Sequence, residues 1–333
     1  MARKISGKLL VIGAGDIGRR VIANPCSMVH GAARIAAATS NPANRPALKR
    51  IGATPVLANL DRPGSLKRLP RDWDALLHCA PPLARGTRDS RTRNLLRALL
   101  QRENVRHKRS SLTRGPSSPR VLVYLSTSGV YGDCGGARIS EARPVAPQNA
   151  RAVRRVDAER VLARHARRGA FRLAILRVPG IYSEDRLPLA RLQAGTPALA
   201  SSDDVYTNHI HAADLAGIAV AALARLQRRV APRVRIYHAS DDSEMKMGDY
   251  FDLVADAFGL ARPPRLPRAQ IGAAVSPALL SFMNESRRLD NTRMRRELKP
   301  RLQAPTVTVG VNAAAAAAHV AGTLPAQTKP GST

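Results

Sequence analysis

The segment Val11-Ile12-Gly13-Ala14-Gly15-Asp16-Ile17-Gly18 constrains this chain more than any other. Its three glycines follow a short apolar run, Lys8 to Ile12, and open directly onto Asp16 to Ala23, a stretch that can begin a helix. A strand that turns into a helix through Gly-x-Gly-x-x-Gly makes a phosphate cradle. The first glycine permits the tight turn, the second lets the backbone approach a pyrophosphate, and the third lets helix and strand pack closely. The helix start then offers unpaired N–H groups and the positive end of its dipole. The motif predicts a dinucleotide site with Gly13, Gly15, Asp16, Ile17 and Gly18 around the phosphates. The alternative is a plain strand–helix turn with incidental glycines.

The rest of the chain continues the alternation that such a turn begins. Apolar runs predict strands over 34–39, 54–57, 74–79, 120–125, 171–176 and 235–238. Helical patterns fall at 46–51, 92–100, 150–165 and 214–226. Alternating strands and helices imply an α/β fold, a Rossmann-type doubly wound parallel sheet with helices on both faces. The 333 residues suit one such domain over 1–240, with a substrate-side insertion at 183–207, a small C-terminal substrate-side subdomain at 241–324 and a tail at 325–333. Within the subdomain, 247–259 and 313–321 read as helices. Asp214 reads as a helix N-cap.

A net charge of +30, mostly arginine, raises the question of a polyanion partner. The arginines are dispersed, and aromatic residues make up 3% of the chain, too few for base stacking along a basic groove. Together with abundant alanine they fit a compositional drift, and nucleic acid is not the expected partner. Residues 101–120 are the exception, a basic, Ser- and Pro-containing stretch read as a flexible solvated loop. Cys26, Cys79 and Cys134 are too scattered for a metal site or a disulfide framework. The apolar run before Gly13 is too short for a signal peptide or a membrane span, which leaves the cytoplasm as the expected compartment.

The second predicted strand ends Ala36-Ala37-Ala38-Thr39-Ser40-Asn41, with no carboxylate. An NAD site commonly carries an acidic residue there for the ribose 2′-hydroxyl. Ser40 takes that place, and Arg45 and Arg50 follow, able to meet a 2′-phosphate. The expected cofactor is NADP, with NAD the alternative.

The glycine turn, Leu76-Leu77-His78-Cys79-Ala80, Tyr124 to Asp133, Leu176 to Tyr182 and Asn208 to Ala216 stand in the order of blocks in a known family. The chain resembles the extended or atypical short-chain dehydrogenase/reductases, the NAD(P)-dependent epimerase/dehydratase-like proteins, from about residue 8 to 240. The resemblance implies that Asn59 stands where many members carry an adenine-binding Asp, that Ala80 lies beside the cofactor ribose, and that Thr127 orients a substrate hydroxyl or carbonyl. It places the loop from Pro179 to Tyr182 near nicotinamide and substrate. It also implies dimerisation through a helix pair that includes 150–165, where Asp157 and Glu159 would supply counter-charges to the arginines.

One block departs from the family. Members carry Tyr-x-x-x-Lys on the helix after the Ser/Thr loop, where lysine lowers the tyrosine pKa for acid–base work. Here the aligned positions are Arg151 and Arg155. Arginine does not deprotonate near neutrality, so Arg151 cannot relay a proton. Arg155 can still hold ribose hydroxyls or an anion. Tyr131, four residues after Thr127, is the nearest substitute acid–base group, with Tyr182 and His209 as further candidates. Three functions follow: an oxidoreductase or epimerase on a small or nucleotide-linked substrate with an unusual proton path, a non-catalytic dinucleotide-binding regulator or scaffold, or a polyanion binder.

Overall fold

The computed structural model describes residues 5–24, 35–100, 119–228 and 230–321. Most of the basic stretch 101–120 and the tail 325–333 lie outside the described residues, as does Cys26. Seven strands form the central sheet: β1 Leu9–Ile12, β2 Ile35–Thr39, β3 Ala53–Leu57, β4 Ala75–His78, β5 Val121–Thr127, β6 Arg172–Val178 and β7 Val234–His238. Their order is β3-β2-β1-β4-β5-β6-β7, and every neighbouring pair is parallel.

Burial on both sides explains the apolar runs, because a parallel sheet hides both faces under its crossovers. Along β1, Leu9 and Val11 enter one core and Leu10 and Ile12 the other. The first face is covered by α1 Asp16–Ala23 and α4 Ala212–Leu226, the second by α2 Ser90–Leu100 and α3 Ala150–Arg167. Because the strands run in one direction, their C-terminal ends share one edge. The order reverses between β1 and β4, which opens the crevice where such sheets bind ligands.

The second unit gathers around Tyr182, Leu192, Leu199, Phe251, Val254 and Val311. It combines the 183–207 segment with α5 Met247–Ala257 and α6 Val307–Val320. Two short helices, Arg268–Ala274 and Pro277–Met283, complete it. Helix Thr292–Leu298 leaves this unit, and its Met294 and Leu298 join the sheet core.

Two boundaries differ from the sequence reading. Helix α6 begins at Val307 rather than 313, because Thr306 Oγ1 accepts from Val309 N at 3.4 Å and caps it there. Helix α4 begins at Ala212, so Asp214 is not its N-cap. Its carboxylate instead accepts from Gln303 N at 2.7 Å and Ala304 N at 3.0 Å, tying the C-terminal segment to α4.

Between α3 and the sheet lies a buried ion pair. Arg177 Nη2 reaches Glu159 Oε2 at 2.8 Å, with 5% and 7% of the two side chains exposed. Ser126 Oγ donates to Glu159 Oε1 at 2.5 Å, and Arg177 Nη1 donates to the Tyr131 hydroxyl at 2.7 Å. His238 Nδ1 lies 2.9 Å from the Asp290 carbonyl, which can only accept, so Nδ1 carries the proton. The other nitrogen, Nε2, then accepts from the Tyr131 hydroxyl at 2.6 Å. Truncating one member of a buried pair strands the other charge and costs about 3–5 kcal/mol. Arg177→Leu is therefore expected to lower the unfolding free energy by that amount, read as a lower urea midpoint at unchanged slope. A loss under about 1 kcal/mol would show that the pair carries little of the fold.

Candidate functional site

The three glycines play separate parts in the structure. Gly13 has φ +88°, and a Cβ there would lie 2.5 Å from Ala80 N, so side chains are excluded twice over. A Cβ at Gly18 would meet Gly13 O at 2.6 Å, which fixes how closely α1 approaches the turn. At Gly15 a Cβ would meet nothing within 4 Å. That open space adjoins the start of α1, which no side chain caps. Room at the second glycine beside an uncapped helix start is what a pyrophosphate requires.

A cavity of about 440 Å³ follows the strand ends from this turn. Its wall brings together Gly13, Gly15, Asp16, Ile17, Gly18, Ser40, Asn59, Ala80, Thr127, Arg155 and Pro179. Asn59 Oδ1 is engaged by Asp61 N at 2.9 Å, which leaves its amide nitrogen as the group offered to the cavity. Nearby, Arg91 grips Asp61 through two nitrogens at 2.6 and 2.8 Å. Past β2 the wall is Thr39, Ser40 and Asn44, with no carboxylate. Arg45 is exposed on the next turn and is not in the wall. Arg19 is not in the wall either, but its Nη2 donates to Oδ1 of the wall residue Asn44 at 2.7 Å, which brings a cation against this end. Sequence reading looked downstream for that charge, whereas α1 delivers it directly after the third glycine.

A second cavity, about 730 Å³, lies between the sheet edge and the C-terminal unit. Thr127, Arg151, Pro179, Ile181 and Arg186 belong to both walls and form the junction. Thr127 Oγ1 accepts from Gly129 N at 3.2 Å and so caps the turn after β5 while facing both cavities. Arg151 and Arg155 lie one turn apart on α3. The Arg155 guanidinium is buried, donating to the Tyr124 hydroxyl at 3.0 Å and the Leu125 carbonyl at 2.7 Å. Arg151 is open to the cavities, 5.9 Å above the Phe282 ring. Arg186 pairs with Asp16 at 3.0 Å, a link across the cofactor-side opening.

The candidate acid–base groups are placed differently from one another. Tyr131 lines neither cavity. Its ring is buried, its hydroxyl is engaged by Arg177 and His238, and burial pushes its pKa up to about 12 despite the adjacent guanidinium. The structure thus packs Tyr131 in the interior, outside the walls of both cavities. Tyr182 reaches the second cavity, but its hydroxyl lies 3.5 Å from the Thr306 carbonyl. Gly310 makes this possible, since a Cβ there would meet that hydroxyl at 2.2 Å. His209 also lines the second cavity, stacked 4.3 Å from the Tyr250 ring, and burial pulls its pKa down to about 3. It is neutral near pH 7. Glu285, not singled out in the sequence, lines this cavity, paired with Arg287 at 2.8 Å and accepting from Asn149 at 3.0 Å.

Both counter-charges expected for a dimer helix are engaged within the chain. Asp157 binds Arg93 at 2.6 Å, and Glu159 is buried on Arg177. Among the described residues no His, Cys, Asp and Glu group could hold a metal, and no helix is long and apolar enough to cross a membrane.

Comparison with solved structures places this architecture among known ones. The chain is 27% identical to a conserved protein of Silicibacter pomeroyi of unknown function, with a TM-score of 0.70 and coverage of 94% of this chain and 99% of that one. DesIV, a dTDP-glucose 4,6-dehydratase from Streptomyces venezuelae solved with NAD and TYD bound, is 19% identical at TM-score 0.70, covering 94% and 97%. A UDP-galactose 4-epimerase is 16% identical at TM-score 0.65, covering 92% and 97%. No curated protein sequence matches the chain. Residues 9–237 match the model of the NAD dependent epimerase/dehydratase family. That span is well over half of the chain, and with the cradle at Gly13, Gly15 and Gly18 it makes this protein a member of that family.

Proposed function

We propose that the protein is an NADP-binding oxidoreductase or epimerase whose small or nucleotide-linked substrate enters the second cavity and reacts at the junction beside Thr127 and Arg151. The observation that carries this reading is the junction itself, where the dinucleotide cavity and a second cavity share five residues. When bound, the nicotinamide supplies the hydride donor or acceptor. Gly13, Gly15 and Gly18 would hold the pyrophosphate, Asn59 the adenine, and Ala80, Arg155 and Pro179 the ribose and nicotinamide side. Ser40 and Arg19, with exposed Arg45 adjacent, would hold a 2′-phosphate, which supports NADP over NAD.

Arg151 changes what the chain can contribute. Its guanidinium stays charged at neutrality, so it offers a fixed positive charge where relatives place a proton-relaying tyrosine. Such a charge stabilises an oxygen that becomes negative as a carbon–hydrogen bond forms or breaks. Thr127 orients the same oxygen by hydrogen bonding. A second reading, a non-catalytic dinucleotide-binding regulator, is favoured by the absence of the tyrosine and lysine at 151 and 155. Tight cofactor binding without turnover across a panel of carbonyl and sugar-nucleotide substrates would support it over catalysis.

Three measurements follow. Gly15→Asp puts a carboxylate into open space, so the variant should fold normally yet lose NADPH binding by fluorescence titration. Retained affinity would overturn the cradle assignment. Arg19→Gln should weaken NADPH about tenfold or more and leave NADH within about twofold, the share of one charged hydrogen bond. Equal effects on both cofactors would place Arg19 outside the 2′-phosphate site. Thr127→Val should lower kcat by about a hundredfold to a thousandfold, on the order seen when one donor to a reacting oxygen is lost, with NADPH affinity unchanged. Unchanged turnover would take Thr127 out of the mechanism.

A further inference from the structure

Oxidation of an alcohol or reduction of a carbonyl moves a proton off or onto the reacting oxygen, and Arg151 cannot carry it. Besides arginine, the titratable side chains in the wall of the second cavity are Tyr182, Tyr206, His209, Tyr250 and Glu285. The Tyr182 hydroxyl faces the Thr306 carbonyl, and the rings of His209 and Tyr250 stack on each other. Burial raises the pKa of both tyrosines and lowers that of His209. The Tyr206 ring lies under the Arg288 guanidinium, against Gly136. Glu285 is the only carboxylate in this wall among the described residues. Asn149 Nδ2 donates to its Oε1 at 3.0 Å and Arg287 Nη1 to its Oε2 at 2.8 Å. An ionised carboxylate offers about four lone-pair sites, so both oxygens keep capacity to accept. Gly129 marks where that capacity opens. A Cβ there would lie 3.6 Å from Thr127 Oγ1 and 3.7 Å from Glu285 Oε2, in ordinary contact with each. Gly129 is not among the glycines of positive φ, so the backbone does not require glycine here. What the missing side chain leaves is a space between a hydroxyl and a carboxylate, on the cavity wall. Arg151 is close enough for the Glu285 charge to offset part of the lowering that burial and Arg155 impose on its pKa.

We propose that Glu285 exchanges the proton of the reacting oxygen, the task that a tyrosine at position 151 performs in relatives. This deepens the functional reading above and rests on it. With an alcohol as substrate, the O–H bond breaks and its proton passes to Oε2. The electron pair stays on the substrate oxygen and becomes the second bond of the carbonyl, while the hydride is balanced by the oxidised nicotinamide dinucleotide that this reading assigns to the first cavity. Carbonyl reduction is the reverse, with Oε2 returning the proton. Thr127 bonds the same oxygen, and Arg151 supplies positive charge while that oxygen is negative. Arg287 is the positioning residue. Its Nη1 also donates to the Gly132 carbonyl at 2.7 Å, so it stays engaged when Glu285 takes up the proton.

The test uses the full chain with NADPH and a panel of small carbonyl compounds and sugar nucleotides, followed by NADPH oxidation. On the best substrate of the panel, Glu285→Gln should lower kcat by about a hundredfold to ten-thousandfold, the range of general acid–base catalysis. Glu285→Ala should be as slow, and added formate should return part of its rate in proportion to concentration without moving its thermal midpoint. A carboxylate that only ties the fold together would not show that rescue. Gly129→Ala puts a methyl group between the two oxygens and leaves the Asn149 and Arg287 bonds in place. It should lower turnover by about a hundredfold, the cost of displacing a reacting atom by about 1 Å, with NADPH affinity and melting as in the wild type. This variant decides the matter even where the Glu285 variants fail to fold. Wild-type turnover by Glu285→Gln or by Gly129→Ala would overturn the proposal and leave the catalytic reading standing. No turnover of the panel by wild-type protein with NADPH bound would overturn both, in favour of the non-catalytic regulator.

Discussion

The buried pair of Glu159 and Arg177 determines how the site is assembled. Arg177 extends from β6, Glu159 from α3, and Ser126 from β5, so one carboxylate fixes a helix against two adjacent strands. Residues 151, 155 and 159 succeed one another at four-residue spacing and share a face of α3. Once Glu159 is held, Arg155 and Arg151 must point toward the strand ends. Replacing the pair by well-packed apolar residues could preserve stability. It would not preserve a directional anchor, because apolar contacts tolerate rotation and sliding that a bidentate guanidinium does not.

That anchor also accounts for Tyr131. The Arg177 side chain that grips Glu159 uses its remaining nitrogen on the tyrosine hydroxyl, and His238 completes the arrangement. A phenol surrounded in this way is structural. Its proximity to Thr127 in the chain made it the natural substitute for the absent tyrosine, but the turn Ser128–Tyr131 carries the ring inward, into a cluster with Val130, Ile139, Val156 and Leu289. Sequence proximity and spatial proximity separate within a single turn of backbone.

The sheet was legible because its inner strands are buried on both faces and read as apolar runs, as at Leu9–Ile12 and Val121–Leu125, while the edge strands Ala53–Leu57 and Val234–His238 are only partly buried. The glycine turn was legible because its chemistry depends on the absence of side chains, which sequence states directly. The C-terminal unit was less so. Arg268–Ala274 and Pro277–Met283 are seven residues each, too short for a periodic signal and set among prolines. The arginines were least legible. Arg19, Arg186 and Arg191 look the same in a chain rich in arginine, and their roles depend on which acceptor each one meets. Asn44 receives Arg19, Asp16 receives Arg186, and the Pro197 carbonyl receives Arg191.

The replacement of tyrosine by Arg151 has a physical consequence. A tyrosine that relays protons needs a pKa brought near neutrality by a neighbouring cation, so its site is tuned for titration. A site built from guanidiniums does not titrate at neutral pH. It contributes a permanent field, strongest where water is excluded, and this favours negative charge in both the ground state and the transition state. Only the part of that field felt more strongly by the transition state accelerates a reaction. Arg151, exposed and shared by the walls of both cavities, is placed so that its field reaches both.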